Sequence, residues 1–235
     1  MKEKFQRAYQ AFLNQTSQDS AVCGVLFFGS VQQGHGTDSS DLDFYIVVQG
    51  NEGWNNKKYY EGVLVEAYYY PAAYWEKAIA ESQPVMFAFA TGSKAWDSQG
   101  HLEQLMDKAR TIYSRGPEPL SDLQINNWRI TLTELLSDME GMSTAARGSK
   151  IGAASLITRA LEGYCALNKI WLTKQEKLAE SVSQRDRTLG SLLHEYEEHG
   201  NLQQARNIIQ YVLNRHGGRM DEYEGPRMKL DKERL

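Results

Sequence analysis

Apolar positions in the first half of the chain follow two periods in turn. Phe5, Ala8, Tyr9, Phe12 and Leu13 recur at helical spacing and predict an amphipathic helix over residues 3–14. Ala21 to Phe28 is a short apolar run rich in Val and Phe, which reads as a buried strand broken at Gly29-Ser30. A polar, Gly-rich stretch from Val31 to Ser40 leads into a second strand, Asp41 to Val48, and Gly50 to Asn56 reads as loop. Lys57 to Tyr60 and Val63 to Tyr70 predict strands on either side of a turn at Glu61-Gly62. Pro71 suits the first position of a helix that carries Tyr74, Trp75, Ala78 and Ile79. Leu102, Leu105, Met106 and Ala109 mark another helix, and Thr111 to Ser114 a last strand.

The pattern changes at Gly116-Pro117-Glu118-Pro119, and nothing beyond it reads as a strand. Ser121 and Gln124 have capping-box spacing and open a long helix with Ile125, Trp128, Leu132, Leu135 and Met139 on one stripe. Residues 150–172 are apolar around most of a helical circumference, as the central member of a bundle would be. Leu189, Leu192, Leu193 and Tyr196 mark a third helix. Leu202, Ala205, Ile208, Ile209, Val212 and Leu213 mark a fourth, with Gly200 as a stop and Asn201 as a cap. The polar tail from Gly217 reads as mobile. The expected fold is therefore α+β: a domain over residues 1–116 with a mixed sheet flanked by helices, followed by an all-α four-helix bundle over 117–235.

Composition narrows the function classes. Among 235 residues, 30 Asp and Glu outweigh 26 Lys and Arg, for a formal net charge of -4. A broad grip on DNA or RNA needs excess cations to displace counterions, so no extended nucleic-acid partner is expected. The opening Met1-Lys2-Glu3-Lys4-Phe5 is too charged for a secretory signal, and the apolar run Ala21 to Phe28 is far below the ~20 residues of a membrane span. Cys23 and Cys165 both sit in apolar segments and read as buried thiols, which points to a cytoplasmic protein without a membrane partner. The sequence is compatible with a monomer or a homodimer.

The chemistry concentrates between residues 27 and 70. Asp41 and Asp43 are two apart on a strand, so their side chains share a face, roughly 6–7 Å apart along the backbone. Adjacent carboxylates repel unless a cation lies between them, and oxygen-only ligands favour a hard ion such as Mg²⁺. Gly29 permits a close turn after the first strand, and Ser30 offers a hydroxyl and a backbone N–H to a phosphate, at the start of a short helix. Glu66 lies within an otherwise apolar strand, where a carboxylate is costly unless paired or coordinated. If that strand neighbours the Asp41–Val48 strand, Glu66 completes the metal set. Elsewhere, Glu134 and Asp138 read as a solvated helix face, with the alternative of attracting a cationic acceptor, and Arg159 and Glu162 as an intrahelical ion pair.

Gly29-Ser30, Gly34 and then Asp41-Leu42-Asp43 entering an apolar strand resemble the signature of the DNA polymerase β-like nucleotidyltransferase superfamily. The layout of a transferase domain followed by helices is similar to nucleotidyltransferases that act on aminoglycoside or lincosamide antibiotics. The resemblance implies metal binding by Asp41, Asp43 and Glu66, with Mg²⁺ as cofactor and an NTP, ATP first, as co-substrate. It implies transfer of a nucleoside monophosphate to a hydroxyl of a small-molecule acceptor, with Glu66 or a bundle carboxylate taking the proton. Gly29 and Ser30 would hold phosphate. Val31-Gln32-Gln33 departs from the pattern, because many relatives carry a basic residue there, and Lys150 or Arg159 is the expected substitute. Two alternatives share the motif: a protein-modifying AMPylating transferase of toxin–antitoxin type, and a non-catalytic nucleotide-binding module.

Overall fold

The computed structural model describes residues 1–142 and 149–224. The chain divides into two compact units, Met1–Arg115 and Gly116–Leu235.

The first unit is built on a five-stranded sheet. Its elements run α1 (Glu3–Thr16), β1 (Val22–Phe28), β2 (Leu42–Val48), β3 (Trp54–Tyr60), β4 (Val63–Pro71), α2 (Ala72–Glu81), α3 (Gln83–Thr91), β5 (Ser93–Asp97) and α4 (His101–Arg115). The strand order is β3-β4-β2-β1-β5. β2 and β4 pair in parallel, while β1–β2, β1–β5 and β3–β4 are antiparallel. Alternation sorts the side chains by face. Leu42, Phe44 and Ile46 of β2, with Val63, Val65 and Ala67 of β4, bury against Phe5, Ala8 and Phe12 of α1. The opposite face carries Tyr45, whose ring centroid lies 4.4 Å from that of Trp75 in α2 and 5.7 Å from that of Phe89 in α3. The Trp75 indole N–H donates to the carbonyl of Ile46 at 3.0 Å, which fastens α2 to the middle of the sheet.

Several expectations for this unit need correction. Thr111 to Ser114 is not a strand but the last turns of α4, where the Thr111 hydroxyl donates back to the carbonyl of Asp107 at 2.9 Å. The final strand is instead Ser93–Asp97, too short and too polar to show an alternation. Residues 83–91, for which the sequence pattern predicts no element, form α3, with Pro84 in its first turn. The loop expected up to Asn56 ends earlier, because Trp54 already pairs with Tyr69 and stacks on it at 4.7 Å.

The second unit is helical throughout its described residues: α5 (Asp122–Gly141), α6 (Ser149–Leu167), α7 (Gln175–Ser183), α8 (Arg187–His199) and α9 (Leu202–Arg215). Five helices are thus described where four were expected. The helix expected to reach residue 172 stops at Leu167, and Lys169 just beyond it takes a left-handed φ of 54°. α7 buries only Leu178 and Val182, too few to draw an apolar stripe in the sequence. The Ser121–Gln124 capping box is present, Gly200 ends α8 in the left-handed conformation, and Asn201 caps α9. The tail is pinned as far as Met220: Gly217 accepts from Arg129 at 2.9 Å, and the Met220 N–H donates to the Thr133 hydroxyl at 3.0 Å. Residues 225–235 lie outside the described residues. Among the described residues no helix is long and apolar enough to cross a membrane.

Candidate functional site

The close turn at the end of β1 explains the first motif residue. Gly29 has φ +89°, and a Cβ built on it would overlap Asp43 Oδ2 and lie 3.0 Å from Asp43 Cγ. Glycine is required there twice over, by its backbone angle and by the approach of the carboxylate. The following residues form successive turns, not the short helix expected to start at Ser30. Gln33 N–H donates to Gly29 at 3.2 Å and His35 N–H to Ser30 at 2.9 Å, while Val31 is buried and anchors the loop in the core. The loop then tightens before Asp41, where the Thr37 N–H donates to the Ser40 hydroxyl at 2.8 Å and the Ser40 N–H returns to the Thr37 carbonyl at 3.2 Å.

Strand pairing assembles the acids. Asp43 sits opposite Glu66 in the parallel β2–β4 pair, and Glu66 sits opposite Lys57 in the antiparallel β3–β4 pair. Directly opposed residues share a face, so Asp43, Glu66 and Lys57 form one row across three strands. Asp41 lies one residue before β2 rather than within it. Carboxylate oxygens of Asp41, Asp43 and Glu66, all half-buried, nevertheless come within 4.8 Å of one another.

Glu66 has both oxygens engaged. Lys57 Nζ lies 2.5 Å from Oε1, and the Tyr68 hydroxyl donates to Oε2 at 3.1 Å. The Glu66 side chain is only 15% exposed whereas that of Lys57 is 63% exposed, so the pair joins a largely sheltered carboxylate to an ammonium that reaches solvent. The hydrogen bond to Glu66 is the main influence raising the Lys57 pKa, opposed by desolvation and assisted by the charges of Glu66, Tyr68 and Asp41. Burial, with the Glu66 hydrogen bond, raises the Tyr68 phenol. Burial, then the nearby Tyr68 and Asp43, raises Tyr45 well above the ordinary phenol value. Three converging carboxylates with oxygen donors alone fit a hard divalent cation, which would relieve their mutual repulsion.

Lys57 carries no signal in the sequence, because the meaning of a lysine in a polar strand depends on its cross-strand partner. Lys150, expected to bind phosphate, lies exposed in the first turn of α6 in the second unit, and its carbonyl accepts from the Tyr196 hydroxyl at 3.5 Å. Its Nζ is 3.7 Å from a Cβ built on Gly200, so its charge faces the C-terminal end of α8, where a helix dipole favours a cation. Arg159 pairs with Glu162 at 2.7 Å and lies 4.5 Å from the ring centre of Trp128. Glu134 and Asp138 are exposed on α5.

No family model matches the chain, and no curated protein sequence matches it. Among solved structures it is similar to a nucleotidyltransferase-like protein from Exiguobacterium sibiricum 255-15, at 11% identity and a TM-score of 0.47, over 90% of this chain and 75% of that one.

Proposed function

We propose that the first unit is the catalytic domain of a metal-dependent nucleotidyltransferase. It moves a nucleoside monophosphate from an NTP, ATP first, to a hydroxyl of a small-molecule acceptor. The observation that carries this reading is the convergence of Asp41, Asp43 and Glu66 beside a turn that only glycine can make. These three carboxylates would hold Mg²⁺, whose contribution when bound is to neutralise the triphosphate and the charge that grows at the α-phosphorus. Gly29 lets the backbone approach a phosphate, and Ser30 offers its hydroxyl and N–H to the pyrophosphate end. The acceptor oxygen forms a bond to the α-phosphorus as the bond to the β-phosphate oxygen breaks. Pyrophosphate leaves, and the hydroxyl proton passes to a carboxylate, Glu66 in this reading. Catalysis of this kind rests on positioning and electrostatics more than on covalent participation by the protein.

The acidic net charge supports a small, cationic acceptor over a polyanionic one, and an aminoglycoside-type antibiotic is the class to try first. The test is incubation with α-labelled ATP, Mg²⁺, a panel of hydroxylated small molecules and, separately, whole-cell lysate. The expected result is label on a small molecule with release of pyrophosphate, lost in Asp43→Asn and on chelation of the metal. Label on a protein band instead would transfer the reading to a protein acceptor. Nucleotide binding with no pyrophosphate from any acceptor would mark the fold as a binding module and sink the proposal.

A further inference from the structure

The loop that follows Gly29 supplies no cationic side chain at Val31-Gln32-Gln33, and the Gln32 amide nitrogen donates to the Thr91 carbonyl and the Ser93 hydroxyl, at 3.3 and 2.9 Å. A triphosphate at the acid cluster still needs a positive partner. Lys57 meets that need by position. It stands in register with Glu66 on the edge strand β3, and its ammonium contacts a carboxylate of the triad. Its neighbour Lys58 is set 5.4 Å from the ring centre of Tyr60, in keeping with the alternation that turns it to the other face.

The contact also sets up a competition. A lysine ammonium and a divalent cation both take Glu66 as partner, and a dication within the triad repels the ammonium from it. The lysine stem is long and flexible and the head already reaches solvent, so displacement needs only rotamer changes. On the nucleotidyltransferase reading, on which this inference rests, the displaced ammonium meets the phosphate oxygens. We infer that Lys57 is an exchangeable counter-ion of the site: it neutralises Glu66 when the acids hold no divalent cation, and turns to the triphosphate when they do.

The two halves predict opposite signs for one substitution. Lys57→Met binds Mn²⁺ alone more tightly, by about three- to ten-fold, because the competing ammonium is gone. The same variant binds α,β-methylene-ATP with Mg²⁺ more weakly, by a similar ~three- to ten-fold, because the phosphate partner is gone. Mn²⁺ binding is read from the electron paramagnetic resonance signal of the free ion, and nucleotide binding by calorimetry, so neither relies on turnover. Lys57→Arg keeps the charge and should restore nucleotide affinity. Unchanged thermal melting of both variants shows that the edge strand is intact. If Mn²⁺ affinity does not rise, or nucleotide affinity does not fall, Lys57 is only a surface ion pair and the inference fails while the metal site stands. If the native protein binds no Mn²⁺, the functional reading itself fails.

Discussion

Gly29→Ala tests the geometry of the site most directly, because its cost divides into two parts of different origin. The backbone part comes from φ +89°, a conformation that costs a non-glycine residue of order ~1–3 kcal/mol. The second part comes from the side chain of Asp43: the new methyl would overlap Oδ2, lie 3.0 Å from Cγ and lie 3.3 Å from Cβ. Turning the carboxylate away from its present rotamer costs a further ~0.5–1.5 kcal/mol. The substitution alone should therefore destabilise the first unit by about 1.5–4.5 kcal/mol. In an Asp43→Ala background Oδ2 and Cγ are absent, so the backbone part, about 1–3 kcal/mol, remains with only the milder 3.3 Å contact to Cβ. The double-mutant cycle should then show a coupling of ~0.5–1.5 kcal/mol.

Amide hydrogen exchange in β1 and β2 reads this quantity for the first unit without interference from the second. Mn²⁺ affinity should fall in Gly29→Ala as well, since the methyl displaces one of the three carboxylates. A cycle that is additive within about 0.3–0.5 kcal/mol would show that Asp43 does not press on the glycine, and would remove the structural reason for the turn beside the acids.

The second unit offers two further tests. Asp186, at the start of α8, is buried; desolvation raises its pKa, but the Leu189 N–H, the Tyr211 and Tyr164 hydroxyls and Arg215 outweigh this and hold it below its ordinary value. Its stabilising effect is thus fully present above the unfolded carboxyl pKa of about 3.9 and is lost as pH falls through the lower folded value, so urea midpoints should drop in acid and Asp186→Asn should flatten that slope. Asp186→Ala, which removes the helix cap and the acceptor of the Tyr164 and Tyr211 hydroxyls, should cost about 2–4 kcal/mol and exceed the loss in Asp186→Asn, a residue that still caps. Burial pushes the Cys165 thiol up to about 11, so a disulfide reagent at neutral pH should modify it only as fast as the second unit opens; rapid native-state labelling would contradict its burial.

The sequence made the long, strongly periodic elements legible, and those whose caps are spelled out locally. The α1 stripe, the Ser121 capping box and the Gly200-Asn201 helix junction each rest on residues within one or two turns of one another. The misses have a common physical origin. α3 (QPVMFAFAT) is apolar on nearly every side and so shows no stripe, α7 buries only Leu178 and Val182, and β5 takes its strand character from pairing with β1 rather than from its own polar residues. At the site, Asp41, Asp43 and Gly29 stood out because their spacing alone places them together. Glu66 stood out because a carboxylate in an apolar strand is a local anomaly. Lys57 and Tyr68 gave no such signal, since their meaning depends on a strand register that no local pattern states.

That register is held by the other face of the sheet. Leu42 and Phe44 flank Asp43, and Val65 and Ala67 flank Glu66; all four are buried against the α1 side. A slip of β4 by one residue against β2 would carry Glu66 into that core and bring Val65 or Ala67 to the acid row beside Asp43, at the cost of a buried carboxylate. The parallel pairing, reached through the β3 excursion, also sets the early residues of both strands side by side, and β3 brings Lys57 into the same row. Apolar packing on one side of the sheet therefore fixes the positions of charged groups on the other. Changes in the α1-facing core, such as Phe44→Ala, should consequently weaken cation binding without touching any group that contacts the ion.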